Sequence, residues 1–280
     1  MKRAQAWLSG EIASRAEPST RLEDEGYLEG FKRIAGLDEV GRGPWAGPVV
    51  AAAVIFPRGL MHSEIRDSKL LSAGRREELS AWIKERAVAW GLGIVEPEEI
   101  DRINILQATL LAMGHAVGQL KPLPDLLLID GTHTIPLQFL AATGTRERSP
   151  HASRLTPHVR GKGLGENALI FTPHAFPAQR AIKKGDRLCH AIAAASIVAK
   201  VARDEMMAEY DKQYPGYSFA QHKGYGAPAH EEALRRLGPS PIHRRSFRPV
   251  REWVKTAHSG EAVSNQQTLT LARLRLKRVG

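Results

Sequence analysis

Cysteine is nearly absent. The 280 residues contain one, Cys189, so no disulfide can close within the chain, and the expected setting is a reducing cytoplasm. Cys189 sits among small apolar residues and reads as a packed thiol rather than a nucleophile. No run of about 18 apolar residues occurs, so no membrane span is expected. The N-terminus, MKRAQAWLSGEIASRAEPST, is basic but lacks the long apolar stretch of a secretory signal. No internal repeat is present. Acidic side chains are also in the minority, 30 against 40 Lys and Arg, for a formal net charge of +10. An excess of that size favours a polyanionic partner, because neutralising phosphates releases counterions.

Against that background the pair Asp38-Glu39 stands out. It is set in IAGLDEVGRGPWAGPVVAAAV, Ile34 to Val54. An apolar run ends in two adjacent carboxylates, a Gly41-Arg42-Gly43 turn follows, and a second apolar run starts at Pro48. Two unpaired carboxylates near a core would cost several kcal/mol each in order of magnitude. A divalent metal removes that cost, and oxygen ligands suit Mg²⁺ or Mn²⁺. The plain alternative is an exposed polar turn.

Two further acids share the context. Asp130 ends the apolar run DLLLID, and Asp186 opens a helical stretch, where it would serve equally well as a cap. In an α/β sheet the carboxyl ends of strands and the N-termini of helices gather at one edge, so these four carboxylates are expected to converge. Adjacent residues on a regular strand point to opposite faces. Asp38 and Glu39 are therefore expected to share a site only if the strand ends between them. Two metals about 4 Å apart would activate water and stabilise the leaving oxygen of a phosphodiester, with Lys and Arg holding the nucleic acid. Paired carboxylates for glycoside hydrolysis would explain two acids, but neither the basic balance nor the Gly-Arg-Gly turn.

Apolar runs predict strands over 34–37, 48–56, 87–95 and 125–130. Helical spacing predicts a helix from Ser72, one long helix from Pro97 through Leu120, another over about 187–210, and patches at 4–15, 20–32 and 229–237. Residues 132–180 are irregular. Their histidines, His133, His151, His158 and His174, lack the tight spacing of a zinc site. His243, Arg244, Arg245, Arg248 and Arg251 read as a basic exit toward the C-terminus.

GLDEVGRGPWAGPVVAAAV resembles the signature of bacterial ribonuclease HII. The similarity continues through Asp67-Ser68-Lys69, LLLIDG, KKGD, AAASIVAKVARD, YPGYSF, HKGYG and GPSPIHRRSF, in order and across most of residues 34 to 250. The resemblance implies an α/β, ribonuclease H-like fold: a central mixed five-stranded sheet flanked by helices, with a helical C-terminal portion. It implies endonucleolytic cleavage of RNA in RNA–DNA hybrids, including single ribonucleotides embedded in DNA. The cut falls 5′ to the ribonucleotide and leaves a 3′-hydroxyl and a 5′-phosphate. Asp38, Glu39, Asp130 and Asp186 take the places of the family's four acids, with Mn²⁺ or Mg²⁺ as the metal.

Gly41, Arg42 and Gly43 match the family's glycine-arginine-glycine motif. Glycines let backbone approach the sugar closely, and a 2′-hydroxyl that both donates and accepts distinguishes RNA from DNA there. Tyr225 matches the tyrosine that packs on the deoxyribose after the ribonucleotide. Lys69, Lys184, Lys200 and Arg203 are candidate phosphate contacts, the last two explained as well by helix–helix salt bridges.

The expected organisation is an N-terminal extension over 1–33, a catalytic domain over 34–250 and a basic tail over 251–280, in a monomer. Asp130 and Asp186 lie further apart than the family pattern leads one to expect. An insertion is therefore expected at about 143–166, splitting the last strand between 135–139 and 168–171.

Overall fold

The computed structural model describes residues 17–66, 68–141 and 176–258. Its frame is a five-stranded sheet of β1 (Ile34–Val40), β2 (Val49–Ile55), β3 (Ala89–Val95), β4 (Leu126–Asp130) and β5 (Ala178–Ile182), in the order β3-β2-β1-β4-β5. β2 runs antiparallel to β1 and β3, whereas β1, β4 and β5 are parallel. The mixed sheet and flanking helices are those the family resemblance implies.

Helices cover both faces, which is why β2 is apolar at every position. Val50, Ala52 and Val54 pack toward a core that includes Ile192, Ala195 and Val198 of one long helix, α6 (His190–Gln213). Val49, Ala51 and Ala53 pack on the other side toward Ala112, Met113 and Ala116 of α4 (Ile105–Gly118). Small side chains bring α6 close to the sheet. At Gly36 of β1, any added Cβ would overlap the backbone of Ala191. Against the same side lie α1 (Arg21–Leu28), through Leu22 and Tyr27, and α2 (Ala73–Arg86), through Leu79 and Ile83.

The helix predicted from Pro97 to Leu120 is two. α3 (Pro97–Ile103) stops at Asn104, whose φ of 71° turns the chain before α4 begins. A positive φ is uncommon outside glycine, and the Asn104 Oδ1 holds it in place by accepting from the amides of Leu106 and Gln107 at 3.0 and 3.1 Å. The apolar spacing continues across the break, so periodicity alone could not reveal it.

The split last strand is also corrected. Residues 137–141 form a short helix, α5 (Leu137–Ala141), and the fifth strand is Ala178–Ile182. Gln179 on that strand donates to the Ile135 carbonyl at 3.0 Å and accepts from its amide at 2.8 Å, which satisfies the Ile135 backbone without a ladder. The other half of the expected strand, 168–171, and the expected insertion at 143–166 lie outside the described residues, as do the patch at 4–15 and most of the basic tail.

The C-terminal portion is helical, with α7 (Phe219–His222), α8 (Pro228–Leu237) and α9 (Arg248–His258). It has its own small core of Tyr217, Phe219, Ala233 and Ile242, into which Ala46 of the β1–β2 connection and Met207 of α6 insert. That connection is thereby gripped from behind by the C-terminal portion. No described helix is long and apolar enough to cross a membrane.

Candidate active site

The parallel register sets the acids side by side. Leu37 of β1 pairs with Ile129 of β4, so Asp38 and Asp130 follow one another at adjacent carboxyl ends. Asp130 in turn pairs with Ile182 of β5. The chain then turns through Lys183 and Lys184, and the Gly185 amide donates to Asp130 Oδ1 at 2.6 Å, seating Asp186 next to it in a single 3₁₀ turn. Two parallel crossings and one backbone hydrogen bond therefore bring three separated segments to one edge.

One expectation about this edge fails. β1 does not end between the two adjacent acids. The ladder continues through Asp38–Ala52 and Glu39–Ala51 to Val40–Val50. Alternation still sends the two carboxylates to opposite sides of the strand, but both lie within its last three residues, where both feel Asp130. Burial, followed by the charges of Glu39 and Asp130, drives the Asp38 carboxyl well above the usual range. Burial also raises Glu39, opposed by the Arg42 guanidinium 3.1 Å away.

Asp38 is also hydrogen-bonded to Ser196 of α6, whose Oγ lies 3.0 Å from that of Ser68. These hydroxyls tie the acid to the 3₁₀ turn Ser68–Leu70, which carries the exposed Lys69. Ser196 had no local signature that would mark it as anything but part of a small-residue helix face.

All the donors here are carboxylate oxygens, which suits a hard divalent cation, and a buried carboxylate whose neighbours are also acidic is the group that gains most from one. Among the described residues no three His, Cys, Asp or Glu side chains are already drawn into a cage. Each of three acids is instead turned to a local partner: Asp38 Oδ1 to the Glu39 amide at 2.7 Å, Glu39 to Arg42, and Asp130 to the Gly185 amide. The residues fit the ion by chemistry and position, with side-chain reorientation required to close on it.

Beside the acids lies the Gly41-Arg42-Gly43 turn. Arg42 and Gly43 are exposed. The Tyr225 ring, 44% exposed, stands over Gly43, where an added Cβ would lie 3.6 Å from Cε1. Lys184 is exposed in a left-handed conformation between Asp130 and Asp186.

Two arginines hold this turn from beneath. Arg203 of α6 is fully buried and donates to the carbonyls of Pro48, Lys223 and Ala46 at 2.9, 3.0 and 3.2 Å. Arg244, equally buried, donates to those of Gly47, Arg42 and Gly41 at 2.9, 3.1 and 2.5 Å. Burial lowers the pKa of both, and the neighbouring Arg203 lowers Arg244 further. Arg203 is thus no phosphate contact, since it has no exposed surface to offer. Lys200 instead pairs with Asp204 of its own helix at 2.6 Å. The basic exit likewise divides: His243 and Arg244 are buried, whereas Arg245 and Arg251 are exposed.

Known proteins agree with this architecture. The family model described as Ribonuclease HII matches residues 35–151 and 172–250. A ribonuclease HII from Geobacter metallireducens is 50% identical over 225 residues, covering 80% of this chain and 88% of that protein. Among solved structures, the ribonuclease H2 from Pyrococcus horikoshii OT3 superposes with a TM-score of 0.58 at 24% identity, covering 80% of this chain and 98% of its own. Bst-RNase HIII in complex with Mn²⁺ superposes with a TM-score of 0.52 at 16% identity, covering 91% and 80%, and shares the fold. A match over most of the chain, at half the residues identical, places it: the chain belongs to the ribonuclease HII family, and is a metal-dependent ribonuclease H, a nuclease hydrolase acting on RNA–DNA hybrids.

Proposed function

We propose that the chain is an endonuclease that cuts 5′ to ribonucleotides embedded in duplex DNA, as well as within longer RNA–DNA hybrids, leaving 3′-hydroxyl and 5′-phosphate ends. Its role would be to remove stray ribonucleotides and RNA primers. The observation that carries this reading is the juxtaposition at one sheet edge of four acids with a glycine-arginine-glycine turn, over which an exposed tyrosine ring stands. Asp38, Glu39, Asp130 and Asp186 are the residues that would hold two divalent ions, Mn²⁺ or Mg²⁺; the solved Mn²⁺ complex of an RNase HIII of the same fold supports the choice. Such ions activate water and stabilise the leaving oxygen of a phosphodiester.

The chain's own residues then divide the remaining work. Arg42 and Gly43 of the Gly41-Arg42-Gly43 turn are exposed and face the ribose, where the 2′-hydroxyl is read, while Gly41 is buried and fixes the turn from below. Arg42 neutralises Glu39 and lies within reach of a phosphate. Tyr225 packs on the deoxyribose that follows. Exposed Lys69 and Lys184 flank the acids and attract the phosphate backbone. The enzyme acts as a cytoplasmic monomer, its catalytic domain spanning 34–250.

An end-labelled DNA duplex with one ribonucleotide tests this, incubated with Mn²⁺, Mg²⁺ or EDTA. A single metal-dependent cut 5′ to the ribonucleotide is expected. Binding without a cut under any metal would instead make the chain a hybrid-binding module. A second expectation concerns the junction. Tyr225→Ala lowers kcat/KM on the single-ribonucleotide duplex about tenfold more than on a continuous hybrid, by loss of one stacked sugar contact. Equal losses on both would leave Tyr225 with no part in reading the junction.

A further inference from the structure

Behind Tyr225 lies a chain of buried imidazoles that the proposed chemistry does not use. His230 of α8 is fully buried and His243 nearly so. Their Nε2 atoms are 3.0 Å apart. His230 Nδ1 is 2.8 Å from the Tyr225 carbonyl, and His243 Nδ1 is 2.9 Å from the Ser240 amide and 2.8 Å from its Oγ.

The protons in this chain follow from its ends. A backbone amide can only donate, so the Ser240 N–H makes His243 Nδ1 an acceptor. A neutral His243 then carries its proton on Nε2 and donates it to His230 Nε2. His230 must therefore carry its own proton on Nδ1, pointing at the Tyr225 carbonyl. Both rings stay neutral at pH 7, because burial pushes His230 down to about 4 and His243 down to about 3. Each of the four ring nitrogens has a partner, and the order runs one way: Ser240 to His243 to His230 to Tyr225.

The surroundings hold the pair rigid. His222 stacks on His230 with ring centroids 4.4 Å apart, and Trp45, from the β1–β2 connection, packs against it at 5.4 Å. His222 accepts from the Gly224 amide at 3.1 Å, and the Tyr225 amide donates to the His222 carbonyl at 2.9 Å. The backbone of Tyr225 is thus fixed at both its N–H and its carbonyl, while its ring stays exposed over Gly43.

We propose that His230 and His243 are positioning residues for Tyr225, holding its backbone so that the ring meets the nucleotide after the ribonucleotide at one set height above the Gly41–Gly43 turn. This rests on the reading of Tyr225 as the group that senses the RNA-to-DNA junction. Neither imidazole touches substrate. Loss of the pair is therefore felt as lost selectivity for the junction rather than as lost cleavage of hybrids in general.

The two amide replacements of His230 separate its two bonds. Asn places its NH₂ near the Nδ1 position and keeps a donor toward Tyr225, whereas Gln reaches the Nε2 position and leaves the Tyr225 carbonyl without that donor. The experiment measures kcat/KM on a single-ribonucleotide duplex and on a continuous RNA–DNA hybrid for the unaltered protein, Tyr225→Ala, His230→Asn, His230→Gln and the double variant Tyr225→Ala/His230→Gln. The expected result is a ratio between the two substrates that falls about tenfold in His230→Gln, is largely kept in His230→Asn, and falls no further in the double variant than in Tyr225→Ala alone.

If Tyr225→Ala lowers the ratio and His230→Gln does not, the positioning role is overturned while the junction reading stands. If Tyr225→Ala itself leaves the ratio unchanged, the junction reading fails and takes this role with it. Should His230→Gln not fold, nitrogen NMR of the unaltered protein decides. A coupling across the hydrogen bond between two imidazole Nε2 nuclei is expected, one protonated and one not, and its absence overturns the proposal.

Discussion

Asp38→Asn is expected to lower cleavage about a thousandfold or more, because several kcal/mol of transition-state charge stabilisation depend on the ions this carboxylate would hold. Binding of a hybrid, measured by fluorescence anisotropy, stays within a few-fold of the unaltered protein, since the exposed basic groups carry that interaction. The same variant has a second signature. Asp38 is buried beside Glu39 and Asp130, and those surroundings disfavour its charged form. In EDTA the unaltered protein therefore bears the cost of a crowded buried carboxylate, and Asn removes it. The variant melts higher in EDTA, by about 2–4 °C for each kcal/mol recovered. Mn²⁺ raises the Tm of the unaltered protein markedly and that of the variant little, because ligand linkage stabilises only a fold that binds the ion. Full activity in Asp38→Asn would remove Asp38 from the site, whereas lost activity with an undiminished Mn²⁺ shift would place the ion elsewhere.

The parts legible in the sequence are those whose signal is local. β2 is apolar at all seven positions because helices cover it on both faces, and nothing else explains such a run. Asp38 and Asp130 stand out because each closes an apolar run, and the parallel register of β1 and β4 sets the two positions side by side. Where the determinant is not local, the sequence pattern does not carry it. β5, AQRAI, is an edge strand with only one ladder partner and no fully buried residue, so nothing in its pattern marks it. The break at Asn104 is set by one backbone angle inside an unbroken apolar rhythm. Arg203 and Arg244 are of a type that normally faces solvent, and His230 and His243 of a type as often exposed as buried, so none is marked as core by its identity. The arginines are buried against carbonyls 20 to 203 residues away and the two imidazoles against each other across 13 residues, in segments that only the finished fold brings together. A basic exit and a buried clamp have the same composition, and the difference lies in who accepts the protons.

The second large effect follows from that clamp. Arg244→Met keeps much of the volume but removes the donors to the carbonyls of Gly41, Arg42 and Gly47. A buried carbonyl left without a partner costs about 1–3 kcal/mol, while removal of a buried charge returns part of that sum. The net loss of stability is moderate, and the three carbonyls relax by turning toward water. That movement displaces the Gly41–Gly43 turn relative to the acids, and a displacement of about 1 Å at a reacting centre costs on the order of a hundredfold in rate. Cleavage of the single-ribonucleotide duplex is therefore expected to fall about a hundredfold, with hybrid affinity and Mn²⁺ binding by calorimetry nearly unchanged. Gly41→Ala approaches the same clamp from the other side. Its φ of 94° disfavours any side chain, and the new Cβ would press into the Arg203 guanidinium and lie 2.7 Å from the Pro48 carbonyl. It should reproduce the loss without touching Arg244. If both variants stay folded and cut at the unaltered rate, the buried arginines merely fill the core beneath a turn that finds its own shape.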